Sequence, residues 1–266
     1  MQNWWRKLTV VAGCLILVVG IAACKDSSDD KKETPVDPAA LMQDAASRID
    51  QAQSFRLLLA QEGPATVIDN DLELAVTFNS ADAIFVQPDR VFAKVSVSIE
   101  ALTQEVQIIA VGENQYVNNR FLTNDQWLLM TFAHDFSPAD LQSADQGIGN
   151  ALRSAQNVQL VGEEDLDGVP VYHLKAVVEA NKVRSVTVGL IGSREGMTEI
   201  DIYIRTRDKN LAQIRLNEPA LLDAESQDPT IWTISFAGYG NYETEEIQEP
   251  TVEAGDGDNA EATPAN

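Results

Sequence analysis

The stretch Arg90-Val91-Phe92-Ala93-Lys94-Val95-Ser96-Val97-Ser98-Ile99 decides the fold. Val91, Ala93, Val95, Val97 and Ile99 take every second position, with Arg90, Phe92, Lys94, Ser96, Ser98 and then Glu100 between them. A helix would scatter these five apolar residues around its whole circumference, whereas a strand puts them on one face. One apolar and one wetter face is the pattern of antiparallel sheet.

The same period runs outward in both directions. Leu72, Leu74, Val76 and Phe78 alternate with Glu73, Ala75 and Thr77, and Val106–Val111 reads as a further strand turning through 112–115 into Tyr116-Val117. Strands are also predicted at 158–162 and 171–179, with Leu174, Ala176 and Val178 in one phase. A hairpin follows from 199–206, carrying Ile200, Ile202 and Ile204, to 211–217, and 231–239 closes the series. Two helices interrupt the strands. Asp37 suits an N-cap and Pro38 the first helical position, ahead of Leu41, Ala45, Ile49 and Ala52 on one face. A second helix is predicted from Ser137, with Leu141, Ala144, Ile148 and Leu152 aligned, and with a bend or break at Gly147 and Gly149. About ten strands, two or three helices and no βα rhythm give an α+β fold built on one antiparallel sheet.

The termini are of another kind. Arg6 and Lys7 precede an apolar run from Leu8, and Ile21-Ala22-Ala23-Cys24 ends it. That is the layout of a secretory signal, and it resembles a bacterial lipobox in which Cys24 is acylated and becomes the new N-terminus. The run from Leu8 to Ala23 falls short of the roughly 20 residues that span a bilayer. Residues 25–37 are polar and read as a tether, and residues 251–266 as an acidic tail without aromatic side chains. The expected division is therefore a signal peptide over 1–23, acylated Cys24 and tether over 24–37, one domain over 38–250 and the tail over 251–266.

The formal net charge is −22, and loss of Arg6 and Lys7 with the signal, which carries no acid, makes it −24. Such a surface repels phosphate, so no nucleic acid is expected as a partner, and attachment to anionic lipid falls to the acyl anchor. With Cys14 in the signal and Cys24 acylated, the mature domain offers no thiol for a disulfide, a nucleophile or a metal. His134 and His173 are the two histidines, and neither has metal-ligand spacing. His173 sits in a strand and reads as a structural histidine. Glu163-Glu164-Asp165-Leu166-Asp167-Gly168 carries four acids but lacks the ligand spacing of a calcium loop, and Asp167-Gly168 is a turn signal. No catalytic residues, cofactor or metal are expected, and the chain does not read as an enzyme.

Several segments together resemble the LppX/LprAFG lipoprotein family. They are Gly162–Leu174, the pair Ile200–Ile204 and Leu211–Leu216, and Trp232–Gly240 followed by Ile247 and Pro250. Gln126-Trp127 and the helix around Leu41 followed by Ser54-Phe55 fit too, while Tyr203 and Arg205 stand where the family usually has tryptophan and aspartate. The resemblance covers 38–250. It implies a half-barrel, a strongly curved antiparallel sheet wrapped around helices with an apolar cavity between, as in the LolA/LolB carriers. It further implies that acylated lipid or lipoglycan is bound there and carried within the envelope, with any transporter partner unknown. The expected location is the extracytoplasmic face of a bacterial cell membrane. On the same fold, a non-enzymatic module that binds a protein or senses the envelope is the alternative.

The candidate cavity residues are Leu72, Leu74, Val76, Phe78, Leu174, Val178, Ile200, Ile202 and Ile204, each of which would serve equally in a dry core. The connection 181–196 is long, with apolar Val186, Val188, Leu190 and Ile191, three glycines and three cations. It is expected to form a lip at the cavity mouth, the alternative being a strand or short helix packed on the core.

Overall fold

The computed structural model describes residues 36–70, 74–100, 102–134, 136–187, 189–190, 196–219 and 228–252. Cys24, the signal segment, the tether up to residue 35 and the tail beyond residue 252 lie outside the described residues. Among the described residues no helix is long and apolar enough to cross a membrane.

Helix α1 (Pro38–Gln51) starts as the sequence predicts, with the Asp37 carboxylate accepting from the amides of Ala39 at 2.9 Å and Ala40 at 3.4 Å. It buries Leu41, Met42, Ala45, Ala46 and Ile49. Strand β1 (Ser54–Glu62) follows at once, then β2 (Thr66–Ile68), β3 (Val76–Val86), β4 (Arg90–Ile99), β5 (Leu102–Val111), β6 (Asn114–Asn118) and β7 (Leu128–Leu129). After α2 (Ile148–Ser154) come β8 (Gln156–Leu166), β9 (Val169–Glu179), β10 (Met197–Arg205), β11 (Leu211–Glu218) and β12 (Thr230–Ala237).

All twelve strands form one 12-stranded antiparallel sheet in the order β7-β6-β5-β4-β3-β1-β12-β11-β10-β9-β8, with β2 added to β3. Two meanders, β3–β7 and β8–β12, are joined by β1, and β7 and β8 remain as edges, so the sheet does not close. The register carries one inner-face row across the joint: Val106, Val95, Ala81, Leu59, Ile234, Ile214, Ile202, Leu174 and Leu160. Opposite Gln61 near the end of β1, the fully buried Trp232 meets Phe78 at 5.8 Å between centroids, and its indole N–H donates to the buried Glu218 carboxylate at 2.8 Å.

One expectation needs correction. The strand foreseen from Leu72 begins at Val76, after a bend at Leu74, and Leu72 lies outside the described residues. The second helix breaks at Gly147 as expected, into a 3₁₀ turn at Pro138–Gln142 and α2. A Cβ at Gly147 would come within 2.8 Å of the Ser143 amide nitrogen and the Gln142 carbonyl carbon, so the chain reverses where only glycine fits. One at Gly149 would meet the Asp50 carboxylate of α1, which lets the two helices pack closely. Strand β1 carries no period-two signal, because Leu57-Leu58-Leu59 masks the alternation: Leu57 and Leu59 point inward and Leu58 outward.

The outer face is polar. Arg56 of β1 forks diagonally onto Asp82 of β3, Nε to Oδ1 at 2.7 Å and a terminal nitrogen to Oδ2 at 2.5 Å. The Arg56 hydrogen bond holds the Asp82 carboxyl below the usual carboxylate range, against partial desolvation. A depressed carboxyl stabilises the fold above its unfolded pKa and loses that contribution as pH falls through the folded value. Both side chains are roughly two-fifths exposed, so the pair contributes at most about 1 kcal/mol. Asp82→Asn is expected to lower stability at neutral pH and to flatten the acid limb of a Tm-against-pH curve. An unchanged acid limb would remove this pair from the account. Separately, Asp37→Ala is expected to cost about 1 kcal/mol in urea denaturation through loss of the α1 cap.

Candidate functional site

The two halves of the inner face are filled differently. In β9–β12 the inward positions carry large aliphatics, and α1 and α2 lie on them, α1 touching β8 and β11 and α2 touching β9. In β3 and β4 the inward positions carry Ala81, Ala83 and Ala93. Small side chains leave space there that the short helices do not reach.

That space is a cavity of about 70 Å³. Its sheet wall includes Leu57, Phe78, Ala81, Ala83, Phe85, Val91, Ala93, Val95 and Ile108, and its cover is Phe132, Ala133, Phe136, Leu141 and Leu190. Gln115 is the one polar side chain in the lining. The cover comes from loop and 3₁₀ segments, not from a helix.

Gln115 holds this cover in place. It stands on the inner face of β6, paired with Ala110, and is buried. Its oxygen accepts from the amides of Phe132 at 2.9 Å and Ala133 at 3.1 Å, and its nitrogen donates to the carbonyls of Ala133 at 2.9 Å and Phe136 at 3.2 Å. One amide therefore satisfies four backbone groups of a segment that has no ladder of its own there. Sequence reasoning passed over it, although a glutamine in the inward phase of Gln115-Tyr116-Val117 was a readable signal.

A second, polar chamber of about 480 Å³ shares Gln115, Phe136 and Leu141 with the apolar one. Glu113, Thr131, His134, Asp140, Gln146, Arg184 and Ser185 complete much of its wall. The cavity thus borders a chamber with side chains of both charges and several neutral hydrogen-bonding groups.

Of the predicted cavity residues, Phe78 lines the cavity. Val76, Leu174, Val178, Ile200, Ile202 and Ile204 are buried but line neither chamber; all but Val76 belong to the half filled by α1 and α2. Leu74 is 42% exposed at the sheet rim. Of the expected lip, Leu190 covers the cavity, while Val188 and Ile191 lie outside the described residues. Val186 is buried, and Val183 ends a 3₁₀ turn that touches α2, so this part of the connection packs on the core.

His173 lies on the outer face, away from the cavity. Its Nε2 is 2.6 Å from Asp201 and its Nδ1 3.2 Å from Glu164, and its ring stacks on Tyr203 at 4.6 Å. Burial, followed by the Asp201 and Glu164 carboxylates, pushes the Tyr203 phenol above its ordinary value. The acidic run before it is strand β8 as far as Leu166. Asp167 and Gly168 then take positive φ in a two-residue turn, and the Gly168 amide donates to Asp165 at 2.6 Å. Among the described residues no three His, Cys, Asp or Glu side chains are placed to hold a metal.

A wide antiparallel sheet with one helix-covered and one loop-covered half defines an open-sheet α+β domain with an apolar cavity under its cover. The LppX_LprAFG lipoprotein family matches residues 37–241, and the chain belongs to that family. LprF from Mycobacterium bovis superposes with a TM-score of 0.60 at 17% identity, over 80% of this chain and 96% of that one. The lipoprotein LppX from Mycobacterium tuberculosis does so with 0.52 at 16%, over 79% and 98%. A LolA superfamily protein from Nitrosomonas europaea aligns at 0.28 and 11% identity, over 80% and 98%. No curated protein sequence matches the chain.

Gln115→Leu is expected to strip four hydrogen bonds from the cover and to lower stability by about 2–4 kcal/mol. Hydrogen exchange checks the mechanism. The Phe132 and Ala133 amides should lose protection while those of β10 keep theirs, and retained protection at Phe132 would rule the clamp out.

Proposed function

We propose that this chain is a membrane-anchored lipoprotein, held by acylated Cys24 on the extracytoplasmic face of a bacterial cell membrane. In this reading it binds acylated lipid or lipoglycan in the cavity under β3–β5 and carries it within the envelope, without catalysis. The observation that carries the reading is a cavity lined by aliphatic and aromatic side chains beside a polar chamber. An acyl chain and a polar headgroup need those two environments side by side. Membership of a lipoprotein family and the lipobox before Cys24 support the anchor.

The cavity's 70 Å³ is well below the roughly 300–1,000 Å³ of a ligand pocket. A whole acyl chain therefore requires the cover to move, and a loop cover clamped by one glutamine side chain is suited to that. The same small volume favours the competing reading, an envelope module that binds a protein or senses on this fold.

One substitution separates these readings and a second checks the packed half. Ala93→Leu fills the cavity, so a lipid binder should keep its melting temperature and lose bound lipid in native mass spectrometry. Ile202→Trp overpacks the filled half and should cost about 1–3 kcal/mol. Wild-type protein that carries no lipid mass after purification from its own membranes would favour the competing reading. The anchor is checked by intact mass. The mature chain should begin at Cys24 with diacylglyceryl and acyl additions, absent in Cys24→Ser.

A further inference from the structure

The exposed apolar side chains are distributed unequally between the two ends of the strands. At the end where β3 begins, β4 ends and β5 begins, Val67 is 61% exposed, Leu74 42% and Leu102 66%. Register sets them along one rim, because Val67 is opposite Thr77 on the outer face, Val76 opposite Ile99, and Ile99 opposite Leu102. After β6 the chain runs toward the same end, where Asn119 bonds the Glu105 carbonyl at 2.8 Å and presents Phe121, 73% exposed. Met197, at the start of β10, adds a fifth side chain there, 46% exposed. The opposite end carries the turns Gln87–Asp89, Gly112-Glu113, Asp167-Gly168 and Thr206–Asn210, which are polar or charged, with Val169 beside them.

This rim continues the cavity wall. Leu102 is in phase with Val106 and Ile108 on the inner face of β5, and Leu74 lies at the bend just before β3. The inner face thus passes from the lining at Phe78 through Val97 and Ile99 of β4 to Leu102 at the rim. An isolated exposed leucine needs no explanation, but several at one end of an acidic protein do.

We propose that this rim, Val67, Leu74, Leu102 and Phe121, docks on the lipid surface to which the chain is anchored and sets the cavity wall against it. The inference rests on the membrane-anchored reading above. The 13 residues between Cys24 and Pro38 reach at most about 45–50 Å. That exceeds the roughly 33 Å length of a ten-residue strand such as β5. The tether therefore lets either end meet the bilayer, and the apolar end is favoured because burying these side chains among acyl chains removes them from water. Arg120, exposed and adjacent to Phe121 in sequence, has a stem long enough to hold its charge at headgroup level while Phe121 enters the acyl region. The charge of −24 expected for the mature chain makes a zwitterionic surface the better partner than an anionic one.

The test uses the acylated full chain bound to phosphatidylcholine vesicles. Phe121→Cys, Leu102→Cys and, at the far end, Arg207→Cys are each labelled with an environment-sensitive NBD fluorophore, since Cys14 leaves with the signal and Cys24 is blocked. The labels at 102 and 121 should brighten on vesicle binding and lose most of that emission to spin-labelled lipid, while the label at 207 stays in water. Vesicle-bound protein whose labels at 102 and 121 remain aqueous overturns the docking rim and leaves the anchor standing. Protein that does not sediment with vesicles overturns both. Burial of the labels that rises with protein concentration in the absence of lipid would show a second copy on the rim and overturn the proposal.

Discussion

The whole arrangement depends on strand β1. It is bonded to β3 on one side and β12 on the other, and without it the two meanders would be separate sheets, each with a raw inner edge. Phe55, Leu57 and Leu59 on its inner face weld two apolar surfaces into one. Phe55 lies 5.0 Å from Phe85 of β3 and 6.0 Å from Phe236 of β12, measured between centroids. A face that wide has to be covered, and how it is covered separates the packed half of the domain from the half with space.

Two short helices suffice for the half that carries Ile200, Ile202, Ile214 and Leu174. They pack closely on each other because Gly149 adds no side chain opposite Asp50, which pairs with Arg153 at 2.6 Å. The other half combines small inward residues with a loop cover. Close-packed interiors seldom tolerate unfilled space, since its lining loses contacts. Three alanines facing one loop segment, pinned by a buried glutamine, leave a small apolar space in this half. The inward phase of β4 and β5 is core at one level, cavity wall at the next and exposed rim at the last.

Much of this was legible beforehand. The alternation of Val91–Ile99 predicts β4 to within a residue, and the Ile200–Ile204 and Leu211–Leu216 segments predict the β10–β11 hairpin. Asp37 and Pro38 mark the start of α1, and Asp167-Gly168 marks a turn. The misses have common causes. β1 hides in three consecutive leucines, whose two faces are distinguished only by what packs on each. The helix from Ser137, by contrast, breaks at Gly147 as its glycines predict, into a 3₁₀ turn and α2. The space was sought among the largest aliphatic side chains, which fill volume, whereas the alanines create it.

The sequence by itself determined the periodicities, and through them the strands, their inward phases, the α+β class and family membership, because local backbone preference and face patterning are encoded residue by residue. The tertiary structure decided which half of the sheet is filled and which holds the cavity. It also decided that Gln115 clamps the cover, that Leu190 reaches the cavity, and that Val67, Leu74, Leu102 and Phe121 gather at one end. These depend on which strands lie beside one another and on what covers each face. That information resides in contacts between residues far apart in the chain, which no local pattern records.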